Sequence, residues 1–363
     1  MMKNIRILYI GESWSGSCAR SLKEALIRQQ KVFIDEVNED LCIPKPRARW
    51  LRAITRILLS VYQQELYSQI LYRVEVFKPD LIVMYKGFPV ETGFIRQLQA
   101  KGYTVVNVYP DCSPHAHGKK HKEAVGAYDL VISTKPFHPR LWQSVYGYKN
   151  PCVFVPQGYD SAFHFEPTPL PHNPRFDVTL VATWRPEYGQ LLKSLGQLLA
   201  GKNISVGIGG YGWIEHRSDY PSDWFFAGGL QGRSYIDFLR QGKICLAPLT
   251  REVVINGVRQ PGDEDTTRTY ELAAAHCFFI HRRTDFVRTL YDEESEVPMY
   301  DNAEELAEKI MLYLSHPDKR EKMAAAAHKR AVPAYSVDSR ANEIVFILTD
   351  FLEQKTVMKT QNT

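Results

Sequence analysis

Short apolar runs alternate with longer amphipathic segments along almost the whole chain of 363 residues, and this alternation restricts the fold more than any other feature. In the first half, helical patterns at Ser17–Gln30 and Val90–Lys101 fall between the apolar runs. Strands that alternate with helices pair in parallel through right-handed crossovers, so the sequence predicts a doubly wound α/β sheet. Its predicted strands are Ile5–Ile10, Val32–Val37, Leu81–Met84, Thr104–Val108, Leu130–Ser133 and Cys152–Val155.

The alternation stops at Phe165–Arg175, where four prolines in eleven residues are typical of an interdomain linker, and then resumes. We therefore predict two Rossmann-like domains, residues 1–164 and 165–338, that face a central cleft at the carboxyl ends of their strands. A helix from residue 339 is expected to pack back on the first domain, and the last ten residues to fray. The predicted strands of the second domain are Asp177–Val181, Ile204–Ile208, Trp224–Phe226, Ile244–Ala247 and Cys277–His281.

Composition excludes several classes of protein. The 45 Lys+Arg and 41 Asp+Glu residues leave a net charge of only +4, which does not favour a nucleic-acid partner. Six cysteines follow no CxxC or regular framework, as expected for reduced thiols in a cytoplasmic protein. The first residues lead directly into a strand rather than a signal peptide, and no apolar run approaches the ~18–20 residues of a membrane span.

One local concentration of charge lies at Lys45–Arg56 (KPRARWLRAITR), with five basic and no acidic residues. The favoured interpretation is a core helix with a basic solvent face, because apolar residues continue at Leu58, Leu59 and Val61. The alternative is a basic amphipathic segment that makes a peripheral contact with the anionic inner face of a membrane or binds an anionic acceptor.

The loop after the first predicted strand, Gly11–Ser17 (GESWSGS), ends at the start of a helix. It is not a G-x-G-x-x-G sequence and has no P-loop lysine, so a dinucleotide or ATP site is disfavoured. Two interpretations have equal weight. The loop is a turn in which Ser17 caps the helix, or Gly11, Trp14 and Gly16 touch a substrate through free N–H groups.

The segment Tyr109–His121 (YPDCSPHAHGKKH) also follows a predicted strand. Its three histidines, with Cys112 and Asp111 nearby, suggest zinc, but their spacing matches no standard zinc site, so we predict no metal. Instead, Asp111 and either His115 or His117 are expected to bind a polar substrate or transfer a proton. The structural alternative is that Asp111 caps a turn.

Two segments of the second half are candidates for binding a nucleotide. In DEDTTRTYELAAAHCFFI, Glu271 stands near a helix start, where a carboxylate favours the helix dipole or accepts hydrogen bonds from a ribose diol. In GIGGYGW, Gly210 and Tyr211 follow a strand and allow a base or phosphate to approach the backbone. The alternative, equally weighted, is a flexible loop packed over Trp213.

A family resemblance joins these segments. The sequence TRTYELAAAHCFFI, with the later MYDNAEELAEKIMLYLSHPDKREKMA, resembles the C-terminal domain of CgeB-like glycosyltransferases, which have the two-domain GT-B fold. The opening RILYIGESWSGSCARSLKEAL is similar to the first strand, loop and helix of that family. The resemblance implies transfer of a hexose or related sugar from a UDP-, GDP- or dTDP-sugar to an unidentified acceptor, with no cofactor or divalent metal.

The resemblance also assigns roles to residues. Glu271 falls where related enzymes bind the nucleotide ribose, and Asp263, eight residues earlier, falls where retaining relatives place an acid near the donor sugar. Retention of configuration is therefore predicted. Arg268 matches a family arginine, and Arg185 could stand in for the arginine that the family has near Gly189; both would stabilise a leaving diphosphate.

One further departure is His276, which stands where the family has glycine. Two alternatives to glycosyl transfer stay open: a sugar-nucleotide epimerase or hydrolase of the same fold, and a non-catalytic protein that binds a nucleotide sugar.

Overall fold

The computed structural model describes residues 4–44, 46, 49–169, 173–255 and 257–361, which form two compact units. The first unit is drawn from Met1–Pro156, Val254–Gln260 and Val337–Thr363, and the second from Gln157–Val253 and Pro261–Ser336. Lys45, Arg47 and Ala48 of the basic segment lie outside the described residues.

The first unit contains a six-stranded sheet, and all six predicted strands are confirmed. They are β1 (Ile5–Gly11), β2 (Val32–Asn38), β3 (Leu81–Tyr85), β4 (Thr104–Tyr109), β5 (Leu130–Ser133) and β6 (Cys152–Phe154). Their order in the sheet is β2-β1-β3-β4-β5-β6, and all neighbouring strands are parallel. The helices between them are α1 (Cys18–Ile27), α2 (Glu39–Cys42), α3 (Arg49–Ile57), α4 (Leu59–Phe77), α5 (Thr92–Ala100), α6 (Lys119–Val125) and α7 (His138–Leu141).

The inner strands of this sheet are buried on both faces, which explains why strands such as β3 (LIVMY) and β5 (LVIS) are almost continuous apolar runs. Successive residues of β1 point to opposite faces. Leu8 and Ile10 join one core with α4 and α5, whereas Ile7 and Tyr9 join a second core with α1.

The second unit has the same architecture, with a second sheet of six parallel strands. The strands of this sheet are β7 (Phe176–Val181), β8 (Val206–Gly209), β9 (Phe225–Phe226), β10 (Gly242–Ala247), β13 (Phe279–Arg282) and β14 (Met299–Tyr300). Between β10 and β13, the chain forms a separate two-stranded hairpin of β11 (Glu252–Ile255) and β12 (Val258–Pro261). The order in the six-stranded sheet is β14-β13-β10-β7-β8-β9. The hairpin, part of which clusters with the first unit, had no counterpart among the predicted strands.

Helices cover this second sheet as they cover the first. They are α8 (Pro186–Leu198), α9 (Arg233–Leu239), α10 (Thr267–Ala274), α11 (Asp285–Leu290), α12 (Ala303–Leu314) and α13 (Pro317–Ala331), with a 3₁₀ helix at Ile214–Asp219. Buried residues of α8 and α12 pack in one core with β7 and β8, and those of α10 and α13 pack in another with β10 and β13.

The last helix, α14 (Val337–Gln361), belongs to the first unit. It buries Ala341, Ile344 and Leu348 in the same core as α1, and Asp338 forms an ion pair of 2.6 Å with Arg28. The last ten residues, which were expected to fray, are helical as far as Gln361.

The favoured interpretation of the basic segment is also wrong. No described side chain of α3 is buried, and Trp50 and Ile57 are 66% and 79% exposed. The apolar stripe therefore does not face the core, and the apolar residue that does pack there, Leu59, belongs to α4. Among the described residues, no helix is both long and apolar enough to cross a membrane.

Candidate active site

In the first unit, three charged or titratable side chains meet at the carboxyl ends of β3 and β4. Asp111 follows β4, and its Oδ2 atom lies 2.6 Å from Nε2 of His117 and 3.1 Å from Nζ of Lys86, which follows β3. Parallel neighbouring strands end at the same edge of a sheet, so two separate loops bring these groups together.

The protonation state of Asp111 follows from its contacts. Burial alone would raise the pKa of Asp111, but the hydrogen bond from His117 and the charge of Lys86 outweigh it and hold that pKa well below its usual range. Asp111 is thus a carboxylate, which only accepts hydrogen bonds, so Nε2 of His117 carries the proton that it shares. Nδ1 is then the ring nitrogen of neutral His117 that can accept a proton.

Two aromatic side chains border His117. The Phe88 ring lies 5.2 Å from the His117 ring, and the His121 ring lies 5.3 Å from it. His121 is buried, and neither of its ring nitrogens has a hydrogen-bond partner among the described residues. Burial, and to a smaller degree the neighbouring His117, lower the pKa of His121 to about 4. His121 is therefore neutral near pH 7 and packs as an apolar group.

His115 lies apart from this pair although it is only two residues from His117. Its ring packs edge-on against Tyr146 at 5.5 Å, and its backbone N–H donates to Ser113 Oγ at 3.2 Å. The structure therefore distinguishes the two histidines that the sequence left equivalent.

The loop Gly11–Ser17 follows β1, at the same edge of the sheet. Its capping role is confirmed, because the Ser17 hydroxyl accepts a hydrogen bond of 3.0 Å from the N–H of Arg20. The Trp14 carbonyl accepts from the N–H of Ser17, the Trp14 side chain is exposed, and Gly16 has a φ of 91°. A contact of Gly11, Trp14 or Gly16 with substrate stays a prediction.

In the second unit, Glu271 is held from two sides. It is only 7% exposed; Tyr235 donates its hydroxyl hydrogen to Oε2 at 2.8 Å, and Nε2 of His164 lies 3.6 Å from Oε1. His164 accepts a hydrogen bond at Nδ1 from the Asp160 N–H, so neutral His164 carries its proton on Nε2, toward Glu271. These contacts orient a carboxylate that still has lone pairs for further donors.

Two arginines lie near the carboxyl ends of β7 and β10. Arg268 donates from Nε to the Val181 carbonyl at 3.2 Å and from Nη1 to the Pro248 carbonyl at 3.3 Å. Arg185 is exposed at the start of α8, with Nη1 3.5 Å from Thr250 Oγ1. Both guanidinium groups thus lie at the edge of the sheet where parallel α/β proteins bind ligands.

The glycine-rich segment after β8 is tightly packed rather than flexible. Trp213 is fully buried, and its indole N–H donates to the Ala182 carbonyl at 2.6 Å. Gly210 has a φ of 118°, and a Cβ atom there would lie 1.9 Å from the same carbonyl oxygen. Tyr211, in contrast, is exposed. The backbone therefore approaches β7 closely and presents the Tyr211 ring at the surface of the second unit.

Gly210→Ala is expected to lower the free energy of unfolding by at least ~2 kcal/mol more than Gly201→Ala. The new methyl group at position 210 would overlap the Ala182 carbonyl, and this overlap adds to the backbone strain. Gly201 is a matched control, since its φ is also positive (74°) but no atom lies within 4 Å of the position that a methyl group would take there. Urea denaturation of both variants measures the difference. Equal losses would contradict the close approach to Ala182.

Two departures from the family pattern have structural causes. At Gly189, a Cβ atom would lie 2.9 Å from Nε1 of Trp184 and 3.0 Å from the Tyr220 hydroxyl, so an arginine does not fit there. His276 has a φ of 56°, a conformation that glycine adopts without strain. Its ring stacks on His328 at 3.6 Å, and Nδ1 lies 3.1 Å from the Glu166 carbonyl oxygen.

Asp263 is half-buried in the loop before α10, and its N–H donates to the Thr250 carbonyl at 2.8 Å. Its predicted role near the donor sugar stays a prediction. Among the described residues, no group of three or more His, Cys, Asp or Glu side chains is arranged to hold a metal ion.

Comparison with known proteins relates both units to one fold. Residues 185–345 match a family model described as glycosyl transferase-like. The structure superposes on sucrose-phosphate synthase from Thermosynechococcus elongatus with a TM-score of 0.68 at 13% identity. The superposition covers 96% of this chain and all of the synthase chain. The chain has the GT-B fold.

Two other solved structures also superpose on nearly the whole chain. HepE from Anabaena, in complex with UDP-glucose, has a TM-score of 0.65 at 12% identity, over 95% of this chain and all of HepE. A glycosyltransferase from Rickettsia africae has a TM-score of 0.64 at 12% identity, over 97% of this chain and 99% of the other. No curated protein matches the sequence. The matched range 185–345 includes every candidate residue of the second unit.

The residues that hold the candidate side chains in place were not predicted from the sequence. Tyr235 and His164 orient Glu271, and Lys86 faces Asp111, but each lies far along the chain from its partner. The signal that was available for Lys86 is its position directly after a predicted strand adjacent to the one that precedes Asp111.

Proposed function

We propose that the protein is a glycosyltransferase, in which the second unit binds a nucleotide-sugar donor and the first unit activates the hydroxyl group of an acceptor. The observation that carries the proposal is the match of residues 185–345 to a glycosyl transferase-like family, over the part of the chain that holds Glu271. The complex of HepE with UDP-glucose supports a nucleotide sugar as the donor.

On the donor side, we assign the ribose diol to Glu271, since a carboxylate accepts hydrogen bonds from two adjacent hydroxyls. Tyr235 and His164 fix its orientation. Arg185 and Arg268 would stabilise the charge that develops on the diphosphate, and the exposed Tyr211 ring would stack on a base.

On the acceptor side, His117 is proposed as the general base. The acceptor oxygen attacks the anomeric carbon of the sugar, the bond from that carbon to the diphosphate breaks, and the acceptor proton moves to Nδ1 of His117. Asp111, 2.6 Å from Nε2, would stabilise the imidazolium that forms. The nucleoside diphosphate leaves with the electrons of the broken bond.

This assignment favours inversion of configuration, because direct displacement needs a base for the acceptor proton. The spacing of Asp263 and Glu271 favours retention instead. We propose inversion, since the Asp111–His117 pair is a defined contact. The anomeric configuration of the first product, measured by NMR, decides between them.

Donor binding is tested by the thermal shift of the full-length protein with UDP, GDP or dTDP, each with magnesium or EDTA. A nucleotide at 100 times its dissociation constant is expected to stabilise the protein by ~2.7 kcal/mol, a shift of several degrees. Glu271→Ala should weaken that nucleotide by roughly 10-fold or more, because a charged hydrogen bond is lost.

Glu308→Ala, which removes an exposed glutamate from α12, is the matched control and should bind normally. Because no metal is expected, EDTA should leave the shift unchanged. Release of nucleoside diphosphate without any acceptor would favour the epimerase or hydrolase alternative, and binding without turnover would favour a non-catalytic protein. Absence of a shift with every nucleotide would overturn the proposal.

A further inference from the structure

The helix α3 and the start of α4 expose an unusually apolar surface. The side chains of Trp50, Ile54 and Ile57 are spaced by four and three residues, which places them along one stripe of α3, and Val61 follows four residues later in the first turn of α4. With Leu58 they form what we call the α3 face, and all five are exposed. An exposed apolar surface of this kind marks an interaction site.

The opposite side of α3 is directed toward the first unit. Arg52, Thr55 and Arg56 line a cavity of about 420 Å³ together with Leu59 and Phe88. Phe88 also contacts His117, so this cavity lies beside the proposed base. The α3 face therefore points away from the unit, where nothing in the first unit covers it among the described residues.

Charge identifies the partner. Residues 45–56 carry five basic and no acidic side chains, whereas the whole chain has a net charge of only +4. The remaining residues are thus nearly neutral together, and the positive charge of the protein is concentrated in the sequence segment that contains α3, with Arg52 and Arg56 exposed on the side opposite the apolar stripe. A second copy of the chain would bring like charges together in a symmetric contact, which opposes self-association.

We propose that the α3 face binds an anionic lipid bilayer. An amphipathic helix that lies in a bilayer surface places its apolar stripe among the acyl chains and its basic residues beside the lipid phosphates. Tryptophan is favoured at that boundary because its ring is apolar and its N–H is polar. This inference does not depend on sugar transfer, since it concerns a surface outside the donor and base residues.

Vesicle sedimentation of the full-length protein tests the proposal. We expect binding to vesicles of phosphatidylcholine and phosphatidylglycerol at about 3:1, little binding to phosphatidylcholine alone, and loss of binding at high salt. Ile57→Glu should reduce binding by at least roughly 10-fold, because it places a charge on the apolar stripe. Val76→Glu, on the 63% exposed Val76 of α4, is a matched control and should bind normally.

Trp50 supplies a second readout. Vesicles with brominated acyl chains should quench part of the tryptophan fluorescence, and Trp50→Phe should remove that part. Equal binding of Ile57→Glu and the unchanged protein would overturn the proposal, as would absence of binding to anionic vesicles. A dimer in light scattering that Ile57→Glu dissociates, without vesicle binding, would assign the face to a second copy instead. Unchanged urea denaturation midpoints show that each variant is folded.

Discussion

His117→Ala is expected to lower kcat for sugar transfer by ~10²–10⁴-fold, the usual contribution of a positioned general base. The dissociation constant of the donor nucleotide should stay unchanged, because His117 lies in the first unit and Glu271 in the second. Steady-state kinetics and the thermal shift with nucleotide, measured on the same preparation, separate the two effects.

His115→Ala is the matched control for this prediction. It removes a histidine from the same loop, but one that packs on Tyr146 rather than on Asp111. Its kcat should remain within a few-fold of normal. Asp111→Asn should also lower kcat strongly, because an amide cannot stabilise the imidazolium as a carboxylate does. Full activity of His117→Ala would show that the pair is structural.

The second large effect expected is a loss of stability in mild acid. His121, His138 and His281 are buried, and burial is the main cause that lowers their pKa values to about 4, about 4 and about 3. In the unfolded chain a histidine has a pKa of about 6.5. Between these values the unfolded state binds more protons, so the free energy of unfolding falls as pH falls from about 6.5 toward 4.

Each fully buried histidine can contribute up to about 3 kcal/mol to this loss, since one pKa unit corresponds to ~1.4 kcal/mol. Urea denaturation between pH 7 and pH 4 measures the slope. His121→Leu should make the dependence of the free energy of unfolding on pH shallower. It should not lower that free energy at pH 7, because the ring nitrogens of His121 have no hydrogen-bond partner among the described residues. His316→Leu, at an exposed histidine, should leave the slope unchanged. An equal slope in His121→Leu would contradict this account.

Much of the fold could be predicted because a strand that is buried on both faces consists mainly of apolar residues, and such a run is visible in the sequence. Runs such as LIVM at Leu81 are buried on both sides of a parallel sheet, so they are apolar throughout. The α3 segment shows the opposite case. The spacing of its apolar residues correctly indicates an apolar stripe along a helix. Spacing alone does not say whether the rest of the protein or a lipid bilayer covers that stripe.

The candidate site could be predicted only in part, for a related reason. Glu271 and Asp111 were found because each lies near the end of a predicted element, which the local sequence reveals. The choice between His115 and His117 depends on backbone turns inside one loop, and the partners Tyr235 and His164 depend on tertiary packing. None of these has a local pattern, so the geometry of the pairs came from the structure alone.

Because α14 completes the core of the first unit, that unit is assembled from parts of the chain made at very different times. Val337–Gln361 follows the entire second unit in the order of synthesis. At about 5–20 residues per second, roughly 10–40 s pass between the emergence of β6 and that of α14. During this interval the α1 side of the first sheet lacks its cover, so the nascent chain offers an apolar surface to chaperones until its last helix arrives.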